Sequence, residues 1–338
     1  MLGVKYDDEG RDGLVTIKDI AKAAGVTYVT VSRALNDEPG VGEKTRQKIK
    51  ELAEEMNYIP SLAAKKLVQR QPDTVGLIWP RIKGMFFFDL SFELQEEAAR
   101  RGLNVILSMA KPEEALRTFN QYFVDYVIFW RPGWSPTLEF LQEKERFRGE
   151  MLLLGGWRTD KAHSITIDRV GAFRDAVRHL AGLGHNKIAL VGLPDLDKHN
   201  GYMQGMLELK LDYCPDYVVT IDDPAYKQKM HDMMNGDNRP TAIIVDCHGT
   251  LHQVSGELRK LNIRIPNDLS MVVYDDTQLQ FFDIPLTTVG PSIAELATRS
   301  FEILTGAGAG EGDGPRWVEE EIKSKLTPRS STIPYKGL

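Results

Sequence analysis

The chain has 338 residues, 42% of them hydrophobic and 27% charged, and its formal net charge is −6 at pH 7. This composition is typical of a globular protein of two or three domains. Its longest apolar runs are too short to cross a membrane, its first residues lack the pattern of a secretory signal, and its two cysteines do not make a disulfide framework. We therefore expect a cytoplasmic protein without a membrane partner.

The first structured element expected is a helix that begins at Thr16. Residues 1–13 before it are rich in Asp and Gly and predict a disordered tail. Thr16 and Asp19, three positions apart, form a capping-box pattern, and apolar residues follow at helical spacing. Gly25 supplies a sharp turn, because glycine reaches positive φ without steric cost, and Thr27 caps the next helix.

That second short helix runs from Tyr28 to Leu35. At about 100° per residue, Val31 and Leu35 lie on the face that packs against the first helix, whereas Val29 and Arg33 point away from it. A helix with this outward face, braced across a glycine turn, is suited to insertion into the major groove of DNA. The alternative is an ordinary pair of helices with a solvated outer face.

A third helix, expected over residues 43–57, closes a small helical core. Residues 14–71 hold ten lysine or arginine residues and seven acidic ones, a net of +3 on a chain that is acidic as a whole. A basic head on an acidic body favours contact of the head with phosphate. The apolar stripe of the third helix comprises Ile49, Leu52, Ala53 and Met56.

These helices resemble a known family. The runs TIKDIAKAAGVTYVTVSRALN and VGEKTRQKIKELAEEMNYIP resemble the start of lactose-repressor-type (LacI/GalR) transcription regulators. Further matches at GHNKIALVG, IPNDLSMVVYDD and PLTTVGPSIAEL extend the resemblance over nearly the whole chain, although Gly42 stands where the family usually has a capping serine. The resemblance, with the outward face described above, assigns DNA contacts to Thr16, Tyr28, Val29, Thr30, Ser32, Arg33 and Asn36.

Pro60 begins an alanine-rich segment that is too short to form a stable isolated helix. In the resembling family this segment, here residues 60–71, is a hinge helix that orders in the minor groove at the operator's centre. The resemblance assigns DNA contacts there to Ala64, Lys65 and Leu67, with Leu67 as the wedge between bases. From the residues alone, Leu67 could instead pack on the core domain.

From Thr74 onward, short apolar runs alternate with helical patterns, which indicates βαβ units and parallel sheets flanked by helices. The stretch is long for one sheet, so we expect two similar lobes with a cleft between them. The expected helices include residues 92–101 and 170–183, and the expected strands are TVGLIWP, NVILS, VDYVIFW, MLLLGG, KIALVG, YVVT, TAIIVD and SMVVYD.

The predicted fold class is α/β with an added helical head. We expect a disordered tail (1–13), a three-helix helix-turn-helix head (14–59) and a hinge helix or linker (60–71). The rest of the chain (72–338) is expected to form a two-lobed core with parallel sheets, which resembles periplasmic binding proteins and serves effector binding and dimerisation.

No motif supports an enzyme. GAGAGEGDG from Gly306 lacks the Gly-Lys-Ser/Thr of a phosphate loop and predicts a flexible surface loop, and no Gly-x-Ser-x-Gly elbow is present. Cys247, His248 and His252 could place ligands on one helical turn, but no fourth ligand accompanies them. We therefore expect no enzyme, no metal site and no cofactor.

A small-molecule site is expected where the strands of the two lobes end, the usual ligand position in open α/β sheets. Asp246 and Asp275 end two predicted strands, Lys198 begins a helix nearby, and Phe86 and Phe87 follow the first strand. By resemblance, Asp275 accepts hydrogen bonds from ligand hydroxyls and the aromatic pair stacks on a sugar or base. Each of these side chains also has a plain structural role at a strand end as the alternative.

Several of these positions depart from the family's pattern. Lys198 replaces an arginine, Cys247-His248 replaces an Asn-Asp pair, Gly155 replaces an acid and Val273 replaces a glycine. A lysine is a point donor that cannot reproduce bidentate recognition by arginine. The ligand is therefore re-specified, and we favour a phosphorylated or acidic sugar that faces Lys198.

We predict a homodimeric repressor that binds a palindromic operator in double-stranded DNA and responds to a small-molecule effector, a sugar or a sugar derivative. The competing class is a solute-binding or catalytic two-lobed protein whose helical head is incidental.

Overall fold

The structure is a computed structural model, and it describes residues 15–59, 73–79, 85–130, 135–156, 162–275, 277, 284–306 and 317–335. The chain divides into two compact units, Met1–Gln71 and Pro72–Leu338. The expected tail (1–13) and hinge segment (60–71) lie outside the described residues, as does most of the loop expected from Gly306. Among the helices that are described, none is long and apolar enough to cross a membrane.

In its described part, residues 15–59, the first unit contains three helices, α1 (Ile17–Ala24), α2 (Tyr28–Leu35) and α3 (Glu43–Glu55). The Asp19 carboxylate accepts both the backbone N–H and the hydroxyl of Thr16, so it closes the start of α1. Gly25 ends α1 in the left-handed conformation, with a φ of 72°. The Thr27 hydroxyl accepts the N–H of Thr30 and caps α2, as the sequence predicts.

The three helices bury one apolar cluster. Leu35, Leu52 and Met56 are partly buried against it. Every residue of the predicted stripe on the third helix lies in this cluster or against it, so the predicted three-helix core is confirmed. The buried members of the cluster are Ile20, Ala21, Val31, Ala34, Ile49 and Ala53.

The second unit alternates strands and helices along the chain. In order, its elements are β1 (Thr74–Ile78), α4 (Met85–Arg100), β2 (Asn104–Ser108), α5 (Pro112–Gln121), β3 (Tyr126–Trp130), α6 (Leu138–Arg146), β4 (Glu150–Leu154), β5 (His163–Ile167), α7 (Arg169–Gly182), β6 (Ile188–Gly192), α8 (Leu196–Glu208), β7 (Val218–Thr220), α9 (Tyr226–Asn235), β8 (Ala242–Val245), α10 (His248–Lys260), β9 (Ser270–Tyr274), β10 (Thr287–Gly290), α11 (Ile293–Leu304), β11 (Glu319–Ile322) and β12 (Lys325–Thr327).

The strands form two six-stranded sheets, which define two lobes. Lobe 1 has the strand order β11-β5-β4-β3-β1-β2, with all pairs parallel. Lobe 2 has the order β12-β10-β9-β8-β6-β7, in which only β12 is antiparallel to its neighbour among the described pairs. Two apolar clusters accompany each sheet, which explains why the central strands are continuous apolar runs. The predicted two-lobed α/β fold is confirmed.

All eight predicted strands are present, and the described residues form four further strands that were not predicted. β5 has the sequence HSITI and β11 the sequence EEEI, so neither offers an apolar run. β10 and β12 have only four and three residues. These strands are held by pairing with a neighbour, which local sequence does not reveal.

The described elements pass between the lobes three times. The chain crosses from β5 to α7, from β10 to α11, and from β11 to β12. Both lobes therefore meet at these connections, next to the ends of β4 and β5 in lobe 1 and of β9 in lobe 2.

Candidate functional site

The outward face of α2 is the first candidate site. Tyr28 is 60% exposed and Val29 is 40% exposed, and Arg33, one turn further along, is also exposed. Val31 and Ala34 on the opposite face are fully buried in the head's core. The helix therefore offers an aromatic, an aliphatic and a cationic side chain to whatever approaches it.

Polar residues flank this face. Thr16 and Asn36 are exposed, at the start of α1 and the end of α2, whereas Thr30 and Ser32 are half-buried. The Thr30 hydroxyl lies 2.9 Å from the hydroxyl of Thr27. Threonine, serine and asparagine side chains in such positions are suited to hydrogen bonds with phosphate oxygens.

Arg46 on α3 holds the end of α2 in place. Its guanidinium donates to the carbonyl oxygens of Arg33, Ala34 and Glu38 and pairs with Asp37 at 3.2 Å. A cation at the C-terminus of a helix also interacts favourably with its dipole. This brace was not predicted from the sequence. It fixes α2 against α3 while the Arg33 side chain stays exposed.

The second candidate site lies at the carboxyl ends of the strands of the core. The Lys198 ammonium on α8 donates to the Asp246 carbonyl at 2.9 Å and lies 3.7 Å from the Asp246 carboxylate. It also lies 4.7 Å from the centre of the Tyr274 ring. One Asp246 oxygen accepts the N–H of Leu193, and the other has no partner among the described residues.

Asp275 directly follows β9 and is buried, with a φ of 87°. Burial raises the pKa of its carboxyl to about 7, since the favourable field of Lys198 only partly offsets it and Asp246 adds to the rise. The backbone N–H of His248 donates to Asp275, and Nε2 of His248 lies 3.0 Å from the Thr277 hydroxyl. A left-handed aspartate at a strand end is strained backbone of the kind that is found at functional sites.

An aromatic cluster lies at the strand ends of lobe 1. Trp79 follows β1 and Trp130 ends β3. The Phe87 ring lies 6.4 Å from Trp79 and 5.5 Å from Trp130, and Phe86 lies 5.2 Å from Trp130. At Gly155, with a φ of 105°, a Cβ would come within 3.3 Å of the Trp130 ring. Phe87 is half-buried, whereas Phe86 is only 4% exposed and packs in the core of lobe 1.

Arg169 begins α7, immediately after the chain crosses from lobe 1. It is 6% exposed. A Cβ at Gly156, just after β4, would lie 3.3 Å from its Nη1 atom. Its charge also opposes the rise in the pKa of Tyr274 and Asp275, at the end of β9. The guanidinium thus lies where strand ends of both lobes meet, and we call this place the crevice.

A cavity of about 340 Å³ opens beside Lys198 and Asp246. It lies at the ends of β6, β7 and β8, and Asp195, His199 and Thr220 are among its lining residues. This volume is within the range of small-molecule sites.

The cysteine and two histidines that were considered as metal ligands do not assemble. Cys247 lies 3.4 Å from the Thr250 hydroxyl, and burial raises the pKa of its thiol to about 11. His248 is buried beside Thr277, whereas His252 is exposed. Across the part of the chain that the structure describes, no group of three or more potential ligands could hold a metal ion.

Two family models match this chain. Residues 16–61 match the model for bacterial regulatory proteins of the lacI family, and residues 177–332 match the periplasmic binding protein-like domain. The HTH-type transcriptional regulator AglR of Rhizobium meliloti (strain 1021) is 29% identical to it over 346 residues, which cover 95% of each chain. The chain belongs to the LacI family. As a LacI-family protein it is a DNA-binding regulator of transcription, with a helix-turn-helix head and an effector-binding core.

Solved structures of LacI-family proteins share this fold. The Lac repressor dimer bound to operator and the anti-inducer ONPF has a TM-score of 0.76, with 23% identity over 95% of this chain and 100% of that chain. A LacI family transcriptional regulator from Enterococcus faecium with bound ribose has a TM-score of 0.66, with 20% identity over 78% of this chain and 100% of that chain.

The structure places the residues that the sequence assigned to the effector of this LacI-family regulator in two groups. Lys198, Asp246 and Asp275 come together in lobe 2, and Phe86 and Phe87 lie with two tryptophans in lobe 1. The expected hinge contacts lie outside the described residues, and they are Ala64, Lys65 and Leu67.

Sequence reasoning missed three residues near the crevice. Trp79 and Trp130 carried a signal, because each stands at the end of a predicted strand. Arg169 carried none, because it follows β5, which was not predicted. Local sequence does not distinguish an arginine in an exposed loop from one at the end of a strand.

Proposed function

We propose that this LacI-family regulator is a cytoplasmic repressor that binds a palindromic operator as a homodimer and is controlled by a small hydroxylated effector held in the crevice. We assign it no catalytic activity. The observation that carries the proposal is the outward face of α2, where Tyr28, Val29 and Arg33 are exposed on a helix that is capped, buried on its other side and braced by Arg46.

This face has the chemistry of base recognition. A guanidinium can donate two hydrogen bonds to O6 and N7 of one guanine, which assigns Arg33 to a G·C pair. Val29 can offer only apolar contact, for instance to a thymine methyl group. The DNA phosphates on either side of the groove would accept hydrogen bonds from four polar residues, Thr16, Thr30, Ser32 and Asn36. These contacts would set the register of the helix in the groove.

The hinge segment extends this proposal to the centre of the operator. By resemblance to the family, Leu67 enters the minor groove and opens a C–G step, a pyrimidine–purine step that unstacks readily. Ala64, one turn earlier, allows close approach of a second copy, and Lys65 lies near phosphate. The sequence supports this assignment.

Two copies of the chain are required to read a palindrome. An exposed apolar surface on lobe 1 supports pairing along this edge: Phe88 and Phe92, one turn apart on α4, are 65% and 58% exposed, and Leu107 and Met109 on and after the edge strand β2 are 45% and 58% exposed. Large apolar side chains exposed on one lobe in this way are typical of interaction surfaces.

Control by an effector would act through the lobes. The three chain crossings allow the lobes to close around a ligand, and a closure that differs between the free and bound states would change the spacing of two heads in the dimer. A sugar-bound relative of the same fold supports a hydroxylated ligand.

A salt titration of binding to duplex DNA tests the proposal. For a phosphate-binding head, the logarithm of the association constant falls linearly and steeply with the logarithm of salt concentration. The same protein lacking residues 1–71 should not bind. A solute-binding or catalytic protein with an incidental head would show no salt-dependent binding to duplex DNA. That result would refute the proposed function.

A further inference from the structure

Arg169 is a buried cation at the junction of the two lobes. It follows β5 of lobe 1, begins α7 of lobe 2 and is only 6% exposed. Its Nη1 atom lies against the backbone at Gly156, and its charge acts on Tyr274 and Asp275 at the end of β9. The guanidinium therefore reaches the crevice from the side on which the chain crosses between lobes.

Within the described ranges, no acceptor takes a hydrogen bond from this guanidinium and no carboxylate pairs with it. Two other partly buried arginines are paired: Arg101 with the buried Glu97, and Arg299 with Glu320, to which it donates at 2.9 Å and 2.6 Å. A buried charge without a partner is destabilising by itself. A bound ligand could therefore supply the counter-charge that the described residues do not provide to Arg169.

The acidic residue next to Arg169 is already engaged. The Asp168 carboxylate accepts the N–H of Gly171 at 2.7 Å and pairs with Lys323 at 3.0 Å. It serves as the cap of α7, so it faces its own helix and the connection to β12.

The two aspartates of the crevice do not supply the missing charge either. Asp246 lies 3.7 Å from Lys198, whose ammonium it offsets. Burial raises the pKa of the Asp275 carboxyl to about 7, which favours its neutral form. Neither aspartate therefore fully offsets the charge of Arg169, and the N-terminus of α7 adds to the positive potential at its guanidinium.

We propose that Arg169 is the anion-binding residue of the crevice and that the effector is a hydroxylated small molecule with a carboxylate or a phosphate, which this guanidinium holds. The inference rests on the proposed function, because it places the effector in the crevice. The planar guanidinium matches two oxygens of either anion. Lys198, which the sequence analysis assigned to the anion, is occupied by Asp246, whereas the second Asp246 oxygen is available to a ligand hydroxyl.

Thermal unfolding of the full chain in inorganic phosphate tests this anion site before the effector is known. At constant ionic strength, with chloride as the reference, phosphate is expected to raise the Tm of the wild type but not that of Arg169→Met. Arg178→Met is the matched control, since Arg178 lies on the same helix but is exposed and pairs with Glu208. It should keep the full phosphate response.

Arg169→Lys provides a second, milder variant. It keeps the charge but loses the two-point contact, and we expect phosphate to bind about tenfold more weakly than to the wild type. Arg169→Met without phosphate should be at least as stable as the wild type, because it removes a buried charge that has no partner among the described residues.

Glucose, glucuronate and glucose 6-phosphate then separate the two anions, because they share one ring and differ in the charged group. The acid that gives the larger Arg169-dependent rise in Tm identifies carboxylate or phosphate as the recognised group. Stabilisation by glucose that equals that by both acids would contradict an anionic effector.

Three other results would overturn the inference: an undiminished phosphate response in Arg169→Met, no response in the wild type, or, if Arg169→Met does not fold, an unchanged phosphate affinity in Arg169→Lys. DNA binding is measured separately. Its absence beside an intact Arg169-dependent response would refute the proposed function of the head, whereas DNA binding without that response would refute only the anion site.

Discussion

The head and the crevice of this protein are built in opposite ways. The head takes its function from 21 consecutive residues, Thr16 to Asn36, in which caps, turn and outward face follow one another along the chain. The crevice draws its side chains from positions as far apart as Trp79 and Asp275, on two sheets. A site made of neighbours in sequence is specified by local rules, whereas a site made of distant residues is specified only by the fold.

The two regions also differ in how they treat charge. In the head, Arg46 and Lys50 pair with Asp37, and Arg33 is left at the surface where water solvates it. In the crevice, Lys198 is offset by Asp246, whereas Arg169 is buried without a charged partner among the described residues, and burial raises the pKa of Asp275 to about 7. An exposed cation such as Arg33 is solvated by water, so it costs little stability when DNA is absent. A buried cation such as Arg169 is destabilising until a ligand binds, and it therefore favours the ligand-bound state.

The sharpest test of the separation between the two regions is removal of the head's core. Ile49 on α3 is fully buried, and Ile49→Ala should cost about 2–5 kcal/mol, which exceeds what so small a helical unit can lose and stay folded. We expect DNA binding to disappear while the phosphate-induced rise in Tm of the core is unchanged.

Lys48→Ala, one residue earlier and exposed, is the matched control and should keep the head folded. Both variants can be followed by helical circular dichroism and fluorescence anisotropy with labelled duplex. Loss of the phosphate response in Ile49→Ala would show that the two regions are not separate.

The head could be predicted from the sequence more fully than the crevice. Gly25, Thr27 and the stripe on α3 are local signals, and the helices that they define lie within two residues of the predicted bounds. The apolar strands were equally visible, because burial on both faces leaves a continuous run. In contrast, β11 reads EEEI and is a strand only because it pairs with β5, and Arg169 reaches the crevice only because the chain crosses there from β5 to α7.

Base readout by the head gives the next largest effect. Arg33→Ala should weaken operator binding by about 1–3 kcal/mol per half-site and relax the preference at one base pair of each half-site. The measurement is a set of affinities for operators that are changed one base pair at a time. If the variant binds every sequence more weakly by the same factor, Arg33 contacts phosphate and not a base.

The pH dependence of stability tests the crevice. Because burial raises the pKa of Asp275 from 3.8 to about 7, its contribution to stability is full below pH 4 and is lost as the pH rises through 7. Asp275→Asn removes the cost of this ionisation, which grows between about pH 4 and pH 7, so the gain of the variant over the wild type should be on the order of 2 to 3 kcal/mol larger at pH 8 than at pH 5.

The comparison needs unfolding curves of both proteins without ligand at the two pH values. Asp175→Asn, which changes an exposed carboxylate on α7, serves as the control and should show no such difference. A difference between Asp275→Asn and the wild type that is the same at pH 5 and pH 8 would mean that Asp275 is ionised throughout.

The smallest effect expected is at the turn of the head. Gly25 has a φ of 72° with no atom near its missing Cβ, so Gly25→Ala adds only backbone strain, about 1 kcal/mol. DNA binding should weaken only slightly, with base preference unchanged. Gly256→Ala, in the regular helix α10 and also in open space, should instead be neutral or slightly stabilising.

The head is expected to read a specific palindrome as part of a dimer. Selection of bound fragments from a pool of random duplex DNA, followed by sequencing, tests it directly. We predict enrichment of one site made of two inverted half-sites, each with a G·C pair whose preference is lost in Arg33→Ala. No enrichment, or enrichment of a site without inverted symmetry, would contradict the account.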